Sequence, residues 1–272
     1  MVRRWSGDGR YAHPAPRRRH PLRPLVVAAV VLAVLLAVVG AGWLYSTGRI
    51  GPGVEVGPPP VLSPGAGGLG SPVNRIRPAQ ALAVLAILPV KGKASTKDYD
   101  RAKFGEAWLD ADGNGCDTRN DVLRRDLVDL TLVRGSLCLA AAGTLHDPYT
   151  GKDIAFSRGK DSSAAAQIDH VVALSNAWAT GAAQLTDVQR QSLANDPLNL
   201  LAVDGPTNEE KSSSDAATWL PPAKGFRCAY VARQISVKAA YGLWVTGPEK
   251  EAMERILHGC PGQLSLESGY KR

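Results

Sequence analysis

A run of apolar residues at positions 25–45, LVVAAVVLAVLLAVVGAGWLY, constrains this chain more than any other feature. A helix apolar on every side has no place in a small water-soluble fold, and about twenty such residues match the hydrocarbon core of a bilayer. Residues 1–24 hold seven arginines, and arginine-rich flanks stay on the cytoplasmic side. We expect a single transmembrane helix over 25–45 with everything after Tyr45 outside, anchored to the cell membrane. The alternative is a signal peptide cut near Val39-Gly40-Ala41, which would give a secreted protein. On either reading the rest of the chain is exported.

Export decides what the cysteines mean. Cys116, Cys138, Cys228 and Cys260 are an even set, and an oxidising exterior permits disulfides. Four cysteines allow three pairings. Sequence order favours Cys116 with Cys138 and Cys228 with Cys260, since each pair flanks one compact segment. No C-x-x-C occurs, so a zinc knuckle is not expected.

Charge has to be read by region. The whole chain carries +7, but the seven arginines against Asp8 in the leader account for +6 of it. The exported part is close to neutral, and global basicity therefore gives no support to a nucleic-acid partner.

Composition divides the chain into an arginine-rich leader (1–24), the apolar segment (25–45), a Gly/Pro-rich linker (46–75) and one globular domain (76–272). The linker, with GPPPVLSPGAGGLGSP, is too dense in Gly and Pro for regular structure. Within the domain a helix is expected over Pro78–Leu88. Another should be capped by Asp117, with Val122, Leu123, Leu127 and Leu130 at helical spacing. Strands are expected over Leu132–Ala142, followed by a DPYTG turn. Thr186/Gln189 and Thr246/Glu249 are capping-box patterns opening later helices, and Phe226–Tyr241 reads as a helix. The class is α+β.

The residues that carry chemistry lie in the middle. QIDHVVAL contains Asp169 and His170, DPLNLLAV contains Asn199, and GPTNEEKSS contains Asn208. Histidine titrates near neutrality and suits a general base. Asp169 and Asn208 offer hard oxygens to a divalent cation, which phosphodiester hydrolysis uses to neutralise charge on the phosphorane and departing oxygen. Asn199 at a strand end could accept a hydrogen bond from the His170 ring. Elsewhere the plainer reading holds: His146 and His258 are structural, and the turn with Asp110, Asp112 and Asn114 lacks the glutamate a Ca²⁺ loop needs at its twelfth position. Trp108, Trp178, Trp219 and Trp244 are expected mainly in the core.

The stretches NGCDTRNDVL, DPYTGKDIAF, QIDHVVALSNAW, NDPLNLLAVDGPTNEEKSSSDAATWLPP and RCAYVARQISVKAAYGL resemble actinobacterial secreted HNH endonucleases, over about 185 positions from Ile76 to Cys260. That family is similar to the C-terminal nuclease domain of GmrSD-type restriction enzymes. The resemblance implies a ββα-metal core within the globular domain, and Mg²⁺-dependent cleavage (Mn²⁺ serving as well) of nucleic acid, DNA in the first place. A 3′-hydroxyl and a 5′-phosphate would be the products. It assigns His170 as base, Asn199 as its partner and Asp169 and Asn208 as metal ligands. Arg119 in the C-D-T-R motif and Lys211 in N-x-x-K would be substrate contacts. The alternative is a non-catalytic cell-envelope module that keeps the scaffold only for binding; no protein partner is inferred.

Overall fold

The computed structural model describes residues 60, 62–65, 68–159, 164–268 and 270. The leader, the expected transmembrane segment at 25–45 and most of the linker lie outside the described residues. Among those described, no helix is long and apolar enough to cross a membrane. The fold is mixed α and β, as the element pattern implies.

Three small antiparallel sheets are present. β1 (Leu62–Pro64) pairs with β2 (Asn74–Ile76). β3 (Leu127–Leu132), β4 (Ala140–His146) and β5 (Asp153–Ser157) form a meander, and β6 (Ala166–His170) pairs with β7 (Leu200–Asp204). The helices are α1 (Ala81–Ile87), α2 (Thr118–Asp126), α3 (Leu174–Ala179), α4 (Asp187–Asn195), α5 (Gly205–Lys211), α6 (Arg227–Ala240) and α7 (Gly247–His258). Both capping boxes form, Thr186 with Gln189 and Thr246 with Glu249.

Two expectations are corrected. The Gly/Pro-rich linker is not irregular to its end, because β1 and β2 form a hairpin closed by the Gly65 N–H on the Val73 carbonyl at 2.7 Å. The helix capped by Asp117 stops at Asp126, and Leu127 and Leu130 belong to strand β3. Helical spacing of apolar residues cannot register that β4 stands ready to pair with this segment, and the ladder outweighs the local period.

Two hydrophobic cores sit on either side of the β6–β7 ribbon. The larger gathers α1, α3, α6 and α7; the smaller gathers α2 and the three-stranded meander. Along β7, Leu200 and Ala202 enter the smaller core while Leu201 and Val203 enter the larger, so alternate residues bury opposite faces. This explains the unbroken apolar run LLAV at 200–203, a pattern proper to a strand covered on both sides.

Each core is tied by one disulfide. Cys116–Cys138 joins the residue before the α2 cap to the β3–β4 connection, and Cys228–Cys260 joins the start of α6 to the chain just past α7. The pairing expected from sequence order is the one found. Loops of 22 and 32 residues are closed, and loops of that length restrict the unfolded chain by about 3 kcal/mol each. Reduction should therefore lower the melting temperature by several degrees per bridge, and non-reducing peptide mapping should recover these two linked pairs. Any other pairing would contradict the fold.

Candidate active site

The ribbon brings the functional residues together by register. Asp169 stands opposite Leu201 and His170 opposite Leu200, at the end where β6 leaves and β7 enters. α5 then turns back at once. Asp204 caps it by accepting from the Thr207 N–H at 2.9 Å, and Pro206 takes a first-turn position where no donor is needed. Gly205 is required there, since a Cβ would lie 2.2 Å from the Ala164 carbonyl. The turn lays Asn208 and Lys211 against the ends of β6. Asp169, His170 and Asn208 line one polar cleft of about 400 Å³, joined by Arg101, Gln167 and Ser213.

His170 is buried and its tautomer is fixed. Nε2 lies 2.9 Å from the Ala194 carbonyl in the last turn of α4. A carbonyl only accepts, so Nε2 carries the hydrogen and Nδ1 keeps its lone pair. Burial first, and then the charge of Arg101, bring the imidazolium pKa down to about 4 against the pull of Asp169, which leaves the ring neutral at physiological pH.

The expected hydrogen bond between that ring and Asn199 is thus replaced by one to Ala194. Asn199 has a different task. Its Oδ1 accepts from the Val172 N–H at 2.9 Å, and its Nδ2 donates to the carbonyls of Val172 at 3.3 Å and Leu193 at 3.4 Å. It ties the chain leaving His170 to the turn that presents the Ala194 carbonyl.

Asp169 is held from both sides. The Tyr149 hydroxyl donates to Oδ2 at 2.5 Å, and the Lys211 ammonium donates to Oδ1 at 2.9 Å and to the His170 carbonyl at 2.9 Å. Lys211 is 0% exposed. It is not the surface cation expected to meet a phosphate oxygen; it clamps the end of α5 to the end of β6. Tyr149 lies in the DPYTG turn, whose turn chemistry gives no sign in the sequence that its phenol belongs to the site. Asp147 organises that turn, accepting from the N–H groups of Tyr149 and Thr150. The Tyr149 ring packs edge-on against Trp219 and Tyr230. Burial, and then Asp169, push its phenol pKa well above 10, so it stays a donor.

The remaining candidates separate. The Asn208 amide nitrogen donates to Gln167 Oε1 at 2.9 Å, which leaves its oxygen as the atom able to serve a cation. Arg119, half-buried on α2, reaches the Ala166 carbonyl at 3.4 Å, at the end of β6 away from His170. Burial and then Arg158 lower its pKa. His146 is exposed and pairs with Asp153 at 2.5 Å, a structural role as expected.

A divalent metal is tested by the donor set. Among the described residues no group of three or more His, Cys, Asp or Glu side chains could hold a metal ion. The cleft holds the Asp169 carboxylate and the Asn208 amide oxygen, hard donors that fit Mg²⁺, an ion that binds through one or two protein oxygens and takes the rest from substrate phosphate and water.

A family model described as GmrSD restriction endonucleases, C-terminal domain, matches residues 117–256, the span that carries α2, the meander, the ribbon and α5. The chain belongs to this family. The resemblance read from the sequence motifs is borne out, and the family, an HNH-type nuclease domain, suggests a nuclease acting on nucleic acid. An uncharacterized secreted protein of Arthroderma benhamiae is 38% identical over 192 residues, covering 70% of this chain and 89% of that protein. No solved structure matches the chain. The two disulfides fit an extracellular location for this family member.

The clamp predicts the behaviour of Lys211→Met. Removing the ammonium leaves Asp169 buried without its ion partner, and breaking such a pair costs about 3–5 kcal/mol. Urea unfolding should show a loss of that order. A surface phosphate contact would leave stability unchanged.

Proposed function

We propose that this protein is an exported Mg²⁺-dependent endonuclease that hydrolyses nucleic-acid phosphodiester bonds, with residues 25–45 serving as its membrane anchor or export signal. The observation that carries the reading is His170 held as a neutral imidazole, with Nε2 fixed on the Ala194 carbonyl, beside Asp169 in a polar cleft. A base needs a lone pair at a defined position, and Nδ1 supplies it.

His170 Nδ1 takes a proton from water, the oxygen attacks phosphorus in line, and the 3′-oxygen departs. Asp169 and Asn208 are the residues that would hold the cation, which when bound supplies charge neutralisation at the phosphate and the departing oxygen. Asn199 and the Ala194 carbonyl keep the imidazole orientation, and Tyr149 and Lys211 keep the Asp169 carboxylate in place. Arg101 is exposed at the cleft rim and offers a cation to a phosphate; Arg119, remote from His170, would touch only an extended strand.

The alternative, an envelope module that binds without hydrolysis, has one observation in its favour: both Asp169 oxygens are already engaged within the protein. A nicking assay on the purified protein separates the two. His170→Ala should lose hydrolysis on the order of 10²- to 10⁴-fold while its circular dichroism and melting temperature stay close to the parent. Cleavage at the parental rate sinks the mechanism.

The metal is tested separately. Activity should vanish in chelator and return with Mg²⁺ or Mn²⁺, and Asp169→Asn and Asn208→Ala should each raise the Mg²⁺ concentration needed for half-maximal rate. Full activity in excess chelator removes both residues from their roles.

A further inference from the structure

Of the four tryptophans in the described residues, three pack with the larger core or are buried beside it. Trp178 is enclosed by Tyr99 and Phe104, Trp219 lies against Tyr149 and Tyr230, and Trp244 donates its Nε1–H to the Gly92 carbonyl at 3.0 Å. Trp108 is partly buried, packed on one side against the smaller core, and turns another part of its ring to a cavity. Its ring lies near-parallel to the His170 ring, with centroids 6.1 Å apart and an interplanar angle of 18°. Its backbone has φ 60°, a left-handed conformation that a bulky aromatic residue adopts only when its surroundings impose it.

Those surroundings are specific. The Trp108 carbonyl accepts from the Thr118 N–H at 3.3 Å, and the Leu109 carbonyl accepts from the Thr118 hydroxyl at 2.5 Å. The loop enters through Gly105, also left-handed at φ 79°, where a Cβ would stand 2.6 Å from the Gln191 amide nitrogen. The strain delivers the indole to one wall of a second cavity, about 250 Å³, whose other walls include Phe104, Leu174, His170 and the exposed Arg101 and Glu106. His170, Leu174 and Arg101 also line the polar cleft, so the two spaces meet around the imidazole.

We infer that this cavity is a subsite for one unpaired nucleobase flanking the scissile phosphodiester, stacked on Trp108; the inference rests on the nuclease reading above. Its volume lies below the roughly 300–1,000 Å³ of sites that enclose drug-sized ligands, which suits one planar heterocycle. A base inside a duplex has both faces covered by neighbours, so only a base outside the stack can meet the indole. The charge balance points the same way. The chain beyond its leader carries about one net positive charge, so long-range attraction to phosphate is weak, and stacking adds affinity to the local contact that Arg101 offers. The preferred substrate is therefore a single strand or an unpaired region.

The test uses the full chain with an oligothymidine strand, the same strand in a duplex, and an abasic sugar-phosphate strand of equal length and charge. Base–indole stacking predicts that removing the bases raises KM for the wild-type protein about ten- to a hundred-fold, with kcat changing far less. Trp108→Ala should raise KM for oligothymidine similarly yet leave the abasic strand unaffected, and Trp108→Phe should keep most of the affinity. Equal KM for intact and abasic strands on the wild-type protein overturns the subsite while leaving the nuclease standing, and this arm needs no variant to fold. Binding in chelator, read by fluorescence anisotropy, separates the two readings. Tighter binding of oligothymidine than of the abasic strand by a protein that cleaves nothing keeps the subsite and overturns the nuclease; equal binding overturns the subsite.

Discussion

The rest of this structure depends on a two-stranded ribbon buried on both faces. Two strands alone are marginal in water, so β6 and β7 persist because Leu200 and Ala202 enter one core while Leu201 and Val203 enter the other. A buried edge must still have its backbone groups paired. On β7 this falls to side chains: the Asp126 carboxylate accepts from the Ala202 N–H at 2.9 Å, Asp147 accepts from the Asp204 N–H at 3.0 Å, and Arg125 donates to the Leu200 carbonyl at 2.7 Å. Charged groups from α2 and the DPYTG turn stand where a third strand would otherwise lie. The ribbon cannot slip, since a shift of one residue would exchange the faces offered to the two cores.

A fixed register is what makes the site possible. Asp169 and His170 are neighbours on one strand and line the same cleft, yet each meets a different set of restraints. His170 is governed by the backbone of α4 and Asp169 by Tyr149 and Lys211. Lys211 joins the two, because the same ammonium that pairs with Asp169 also donates to the His170 carbonyl. An imidazole and a carboxylate side by side would ordinarily draw each other into an ion pair. Here burial and Arg101 outweigh Asp169 and keep the imidazole neutral, while Lys211 gives the carboxylate another partner. The carboxylate and the imidazole then stand as separate groups.

Local chemistry was legible in the sequence wherever the partner lies a few residues away. Thr186 and Gln189, Thr246 and Glu249, Asp117 at its cap and DPYTG at its turn all do what their spacing implies. The cysteine pairing was legible because each bridge closes a segment next to it in the chain. Several things were not. Leu127 and Leu130 sit at helical spacing yet enter β3, since the deciding partner is β4. The Ala194 carbonyl is a backbone atom and leaves no mark in the sequence. Lys211 shares a helix face with Asn208, but whether that face is covered depends on the β6 end it packs against, and periodicity does not report this. Trp108 packs against the smaller core, as its type implies, but its contact with His170 depends on a positive φ, which has no sequence signature outside glycine and the short polar residues.

The distribution of the disulfides follows from the same ribbon. A strand clamped between two cores is held only as firmly as the weaker core, and the smaller one, built on α2 and the meander, buries the fewer residues. Cys116–Cys138 ties the head of α2 to the meander, and Cys228–Cys260 ties α6 to the end of α7 in the larger core. One cross-link per core restrains both jaws against opening. Opening either would release a strand that carries Asp169 and His170 at its end, so a compartment that keeps thiols oxidised protects the register of the candidate site as well as the stability of the fold. The exposed Leu137, next to Cys138, shows how little apolar packing holds the β3–β4 connection on its own. There the covalent bond takes over what burial does elsewhere.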